Sequence, residues 1–61
     1  MFKLRFYKKT GIDRGNLDHE EFFSTMEEAL TRYSEVFVRS DYSLNPTVWE
    51  CVDGNWERIY G

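Results

Sequence analysis

Cysteine occurs once in this 61-residue chain, at Cys51, which excludes an intramolecular disulfide and the paired cysteines of the common zinc modules. Histidine occurs once, at His19, and proline once, at Pro46. No apolar run approaches the roughly 20 residues of a membrane span, and Met1 to Arg5 is too charged and too early for a signal-peptide core. The expectation is a soluble, unprocessed protein suited to a reducing cytoplasm, with no membrane association. No glycine-rich loop stands out either: Gly11 and Gly15 match neither a phosphate-loop nor a dinucleotide fingerprint.

Aromatic residues, by contrast, are abundant: two Trp, four Tyr and five Phe. A chain this short forms one domain at most, here residues 1–61. Ordering it costs about 1.5 kcal/mol per residue, and domains of this size bury only about 60% of the surface their unfolded chains expose. The aromatic side chains are therefore expected to supply much of the burial, with most of them in the core.

Charge is unevenly placed. The chain sums to −3, but residues 1–14 hold Lys3, Arg5, Lys8, Lys9 and Arg14 against Asp13 alone, a net +4, which leaves −7 for the remainder. Such a split can mark a basic nucleic-acid arm or an acidic mimic. A basic strand lying beside acidic ones is the simpler explanation.

Phe2, Leu4 and Phe6 alternate with Lys3, Arg5 and Tyr7, a period of two that predicts a first strand over residues 2–9. The turn-rich stretch from Thr10 to Asn16 reads as a long hairpin loop, and a second strand follows near His19 to Phe23. Ser24 with Glu27 and Thr25 with Glu28 form two overlapping capping boxes, the signature of a helix start. Met26, Ala29, Leu30, Tyr33 and Phe37 then recur at helical spacing, while Glu28–Arg32 and Glu35–Arg39 are i, i+4 pairs. The helix is expected to end near Arg39, stopped by Ser40-Asp41 and the polar run to Asn45-Pro46, with Asn45 extended because proline follows.

Thr47 to Val52 and Asn55 to Tyr60 are β-prone runs joined by Asp53-Gly54, among the strongest hairpin signals because a type I′ turn needs positive φ at both central residues. The predicted order is ββαββ, an α+β domain with one helix on a four-stranded, mainly antiparallel sheet. Register in the last hairpin has two solutions. A two-residue loop pairs Cys51 with Trp56, Trp49 with Arg58 and Thr47 with Tyr60, and sets Glu50 opposite Glu57, at a cost of some tenths of a kcal/mol. A three-residue loop pairs Glu50 with Arg58 and moves Trp56 and Tyr60 to the opposite face. The two-residue loop is preferred, on the expectation that Lys3 and Arg5 neutralise Glu50 and Glu57.

No motif specifies a reaction. Asp18-His19-Glu20-Glu21 contains metal-ligand types, but neighbours along a strand point to opposite faces and cannot close on one ion. His19 lacks a serine or cysteine partner at recognisable spacing, and Cys51 on a half-apolar strand suits packing better than nucleophilic attack. Glu50 with Glu57 would need a substrate cleft to act as an acid–base pair. The expectation is a non-enzymatic domain without cofactor or metal.

Two surfaces remain as candidates for binding. One is the acidic side of the helix, Glu27, Glu28 and Glu35, or else the open sheet face, meeting another protein through exposed Trp or Tyr flanked by charge. The alternative is a nucleic-acid surface on strand one, where Lys3, Arg5, Tyr7 and Lys9 share a side and could hold phosphates and stack bases. A structural module, stabilised by self-association through its sheet edge or an aromatic patch, is a third possibility, and the protein is expected to be a monomer or homodimer. In size and layout, a very small ββαββ chain with a charged loop and no catalytic motif, the protein resembles small accessory proteins of bacteriophages that bind and modulate host enzymes. That resemblance implies a protein partner and transfers no functional residue.

Overall fold

The computed structural model describes residues 1–38 and 44–61, the side chains of 37 and 38 excepted. Strands β1 (Phe2–Lys8) and β2 (Leu17–Phe23) precede helix α1 (Met26–Val38), and strands β3 (Leu44–Val52) and β4 (Asn55–Tyr60) follow it. The four strands form one antiparallel sheet in the order β2-β1-β3-β4, so the ββαββ α+β architecture is the one that the hydrophobic periods predict. The expected helix end near Arg39, the Glu35–Arg39 pair, the inward place of Phe37 and the burial of Tyr42 lie outside the described residues.

The helix starts on the second of the two capping boxes. Thr25 Oγ1 accepts the Glu28 N–H at 3.2 Å, and its hydroxyl donates to Glu28 Oε1 at 3.1 Å. Ala29 N–H donates to Thr25 O at 3.2 Å. Thr25 is thus the cap, and Ser24 precedes it. Ala29 and Val36 are the buried helix positions, so the inward stripe centres on them, with Tyr33 packed against it, while Leu30 stands at its margin, 37% exposed. Val36, a poor helix former by propensity, belongs there because a β-branched side chain packs well against a sheet.

Leu4 and Phe6 of β1, Val48 of β3, Ala29 and Val36 form the buried core, flanked by Phe2, Phe23, Tyr33 and Leu44. Phe6 is the one fully buried aromatic among the described residues. The expectation that most aromatics are core is therefore corrected: the helix covers one face of the sheet, and the rings at alternate strand positions fall on the other.

β3 begins at Leu44, earlier than Thr47, because β1 pairs along its whole length with it, from Phe2 opposite Glu50 to Lys8 opposite Leu44. Proline inside a central strand normally costs a ladder bond. Here β4 ends with Tyr60 opposite Val48, so β3 has no strand beside Pro46 on the side to which its nitrogen points. Gly61 closes on this point instead: a Cβ there would lie 2.7 Å from Pro46 O, with φ at +90°.

Asp53 (φ 52°) and Gly54 (φ 82°) both take positive φ, as the type I′ turn requires. Cys51 pairs with Trp56, Glu50 with Glu57 and Trp49 with Arg58, the two-residue register. Beyond Arg58 a bulge shifts it, so Tyr60 stands opposite Val48 and not Thr47. Tyr60 thereby crosses to the helix face, where its ring meets Tyr33 at 5.2 Å between centroids.

Candidate functional site: the open sheet face

Residues opposite one another in an antiparallel sheet share a face. Lys3 lies between Phe22 and Trp49, and Arg5 between Glu20 and Thr47. Trp49 pairs with Arg58, and Cys51 with Trp56. The face opposite the helix therefore carries Lys3, Arg5, Tyr7, Glu20, Phe22, Trp49, Trp56 and Arg58. The two hairpins each supply part of this face, and the pairing of β1 with β3 joins them.

Cations and rings interleave across it. Lys3 Nζ lies 2.9 Å from Glu20 Oε2, 4.4 Å from the Trp56 ring centroid and 5.9 Å from that of Phe22. Trp56 reaches over β3 to do this, and its ring meets Phe22 at 6.1 Å and 56°. Together they leave Lys3 only 9% exposed. Arg5 is held between two more rings, its guanidinium carbon 5.5 Å from both Tyr7 and Trp49. Its Nε lies 3.0 Å from the same Glu20 oxygen but makes no hydrogen bond there, so the pair is held by charge alone. Trp49 Nε1 donates to Thr47 Oγ1 at 2.8 Å, and that hydroxyl donates to Arg5 O at 3.3 Å, which fixes the indole to the sheet.

Cation–π contacts contribute about 0.5–1 kcal/mol when exposed and about 2 kcal/mol or more when desolvated, so Lys3 and Arg5 hold their neighbouring rings in place. Three cations against Glu20 leave the face at +2.

Lys3 and Arg5 therefore do not neutralise Glu50 and Glu57. Glu50 is opposite Phe2 and Glu57 opposite Glu50, which puts both carboxylates on the helix face, and the two cations turn to Glu20. Of the four residues proposed for a basic strand-one surface, Lys3, Arg5 and Tyr7 are on the open face. Lys9 lies past the end of β1 and is exposed. The acidic residues of the helix, Glu27, Glu28 and Glu35, are all exposed and border a shallow depression with Phe23, Thr31 and Arg32. Glu28 is committed to the cap, and Glu35 lies 3.6 Å from Arg32. Sequence reasoning missed Phe22 and Glu20 as partners of the basic strand. The available signal was parity: Glu20 and Phe22 alternate in the same rhythm as Lys3 and Arg5.

His19 occupies the helix face, stacked on Phe6 at 4.4 Å and 13°. β2 bulges where Phe6 pairs with His19 and Tyr7 with Leu17, skipping Asp18. The bulge overrides the alternation expected of adjacent residues and brings Asp18 Oδ2 within 2.7 Å of His19 Nδ1, while Glu21 Oε2 lies 3.0 Å from Nε2. Two carboxylates on two ring nitrogens favour the imidazolium, and the Asp18 contact foremost raises the His19 pKa above 6.5. Arg32 binds Glu21 through Nε at 2.8 Å and Nη2 at 3.2 Å, the main reason that the Glu21 carboxyl falls below its usual value. Among the described residues no group of three such side chains is arranged to hold a metal, and no helix is long and apolar enough to cross a membrane.

Comparison with protein-family models, with curated proteins and with solved structures returned no match. The fold and the face define a small α+β domain with an open, aromatic and basic sheet.

Proposed function

We propose that this chain is a non-enzymatic protein-binding module that docks an acidic, partly apolar surface of another protein on its open sheet face. The observation that carries this reading is the ring-and-cation layer: Phe22, Trp56, Trp49 and Tyr7 are interleaved with Lys3 and Arg5, and Glu20 already holds both cations. Aromatic and arginine side chains are the usual anchors of an interface. Here they are ordered before any partner arrives, which lowers the entropy cost of association. The net +2 of the face favours an acidic partner. The resemblance in size and layout to bacteriophage accessory proteins is consistent with a modulator of an enzyme, acting in the cytoplasm.

A second reading has its own support. Four rings on an open sheet are also a stacking platform for single-stranded nucleic acid. Against it, phosphates need free cations, and Lys3 is nearly covered and paired with Glu20.

The test is a photo-crosslinking side chain at Phe22, with Thr31 on the helix as the control, in the source cell. The captured protein is then purified and titrated calorimetrically against the wild type, Trp56→Ala and Lys3→Met. We expect capture from position 22 alone, and affinity reduced about tenfold or more by either substitution. Micromolar, salt-sensitive binding of single-stranded DNA or RNA at roughly physiological ionic strength, weakened by Lys3→Ala with Arg5→Ala, would instead establish the second reading.

A further inference from the structure

The two edges of the sheet are built differently. β2 is bulged at Asp18 and carries Asp18, Glu20 and Glu21 along its length, the last gripped by Arg32 of the helix. Bulges and charge are the usual means by which an edge strand is kept from pairing with other chains. β4 is regular from Asn55 to Arg58 and has its bulge only beyond that point.

The hydrogen-bonding direction along β4 follows from its turn. In a hairpin with a two-residue loop, the residues flanking the turn, Val52 and Asn55, form a hydrogen-bonded pair, and bonded and non-bonded pairs alternate from there. Cys51–Trp56 and Trp49–Arg58 are then the non-bonded pairs. The N–H and C=O groups of Trp56 and Arg58 point away from β3 into the open edge. The other side of β3 agrees: Cys51 N–H donates to Met1 O at 3.0 Å, away from β4.

The helix packs over β1, β2 and β3 and leaves a groove between itself and β4, lined by Met26, Leu30, Ile59 and Tyr60. Leu30 and Ile59 are each 37% exposed and Tyr60 56%. On the same face of β4, Glu57 stands directly opposite Glu50, and neither has an ion-pair partner among the described residues. Like charges set opposite each other are unfavourable, and a cation beside them would relieve the repulsion.

We propose that the β4 edge takes up an extended segment of another protein as a fifth strand. On the helix face that segment presents a Lys or Arg beside Glu57 and, two residues along, a bulky apolar side chain in the Met26–Leu30–Ile59–Tyr60 groove. Strand addition supplies affinity through main-chain bonds and specificity through alternate side chains. A second copy of this chain is a poor occupant. A two-fold pairing of β4 with itself over most of its length sets Glu57 against Glu57 or Arg58 against Arg58. The site is separate from the open face, and the two tests respond to different substitutions.

Linear peptides of about twelve residues, displayed on phage with randomised sequence, are selected on the immobilised full chain, and the enriched sequence is synthesised. The expected motif is a basic residue followed two positions later by Leu, Ile, Met or Phe. Saturation with that peptide should slow amide exchange at Trp56 and Arg58 about tenfold or more, while the Glu57 amide, already bonded to β3, changes little. Arg58→Pro removes an N–H that faces the edge and costs no bond to β3, so it should weaken the peptide about tenfold, whereas Arg58→Ala should leave it within about twofold. Leu30→Lys, which fills the groove with charge, gives a second loss independent of the strand, and selection on Glu57→Lys should change the basic residue to an acidic one. The proposal fails if no sequence is enriched, or if the bound peptide protects neither amide and instead shifts Trp49 and Phe22. It fails too if the free chain dimerises with concentration and protects the same two amides, since the occupant would then be a second copy.

Discussion

The two faces of this sheet are held together by different physics. On the helix side, Leu4, Phe6, Ala29, Val36 and Val48 exclude water almost completely, and stability there comes from apolar burial at about 25 cal/mol per Å². On the open side, Tyr7, Trp49 and Trp56 are only partly buried and Phe22 is exposed, and the rings are ordered by cations that are themselves held by a single carboxylate, Glu20. The covered face makes the domain fold. The open face adds a smaller share to folding but presents an ordered, chemically distinctive surface, which is why a binding role is proposed for it.

Substitutions can break this comparison, and the largest effect belongs to the core. Phe6→Ala should cost about 3–5 kcal/mol, enough to unfold a domain of this size, as circular dichroism at 25 °C would show. Trp56→Ala removes a larger side chain from the open face, yet its loss in denaturant melts should be smaller, about 2–3 kcal/mol, from the desolvated contact with Lys3 and the packing on Phe22. Equal losses at the two sites would erase the distinction between a structural and a binding face.

Next in size is the hairpin that carries Trp56 to its position. Gly54→Val forces a β-branched residue to a φ of 82° and should destabilise by about 2 kcal/mol, while Asp53→Asn, tolerant of positive φ, should lie within about 0.5 kcal/mol of wild type. Comparable midpoints for the two variants would contradict the type I′ turn. The helix cap comes after it. Thr25→Ala should cost about 1 kcal/mol and Ser24→Ala close to nothing, because the Thr25 hydroxyl alone meets the Glu28 amide.

The smallest effect is a pH dependence confined to the helix side. His19 has its pKa raised above 6.5, so its contribution to stability is fully present below that value and is lost as pH rises through the folded pKa. Glu21 has its pKa lowered from 4.5, so its contribution is present above 4.5 and is lost as pH falls through the folded value. Both are present together between pH 4.5 and 6.5. The melting temperature of His19→Gln relative to wild type should be lowest inside that window and converge on the wild type as pH rises beyond it. A constant difference across pH would mean that His19 acts only by stacking on Phe6.

The ββαββ order, the helix start and the Asp53-Gly54 turn were legible because each rests on neighbours in the chain: alternation for the strands, spacing of three and four for α1, and the special φ values that Asp and Gly tolerate. Where prediction went astray, a bulge or a long-range pairing was responsible. The Asp18 bulge turned His19 and Asp18 toward each other, the bulge after Arg58 carried Tyr60 to Tyr33, and the pairing of β1 with β3 removed Lys3 and Arg5 from Glu50 and Glu57.

Local sequence therefore determined which segments become strands and which becomes a helix, since those choices depend on periodicity and backbone preference within about ten residues. The tertiary structure alone decided which side chains meet across strands. It placed Lys3 under Trp56 and Arg5 between Tyr7 and Trp49, and it left the backbone of β4 open beside the groove at Leu30 and Ile59. The reason is physical: strand order and register are set by which faces can be buried together, a property of the whole chain that no single segment contains.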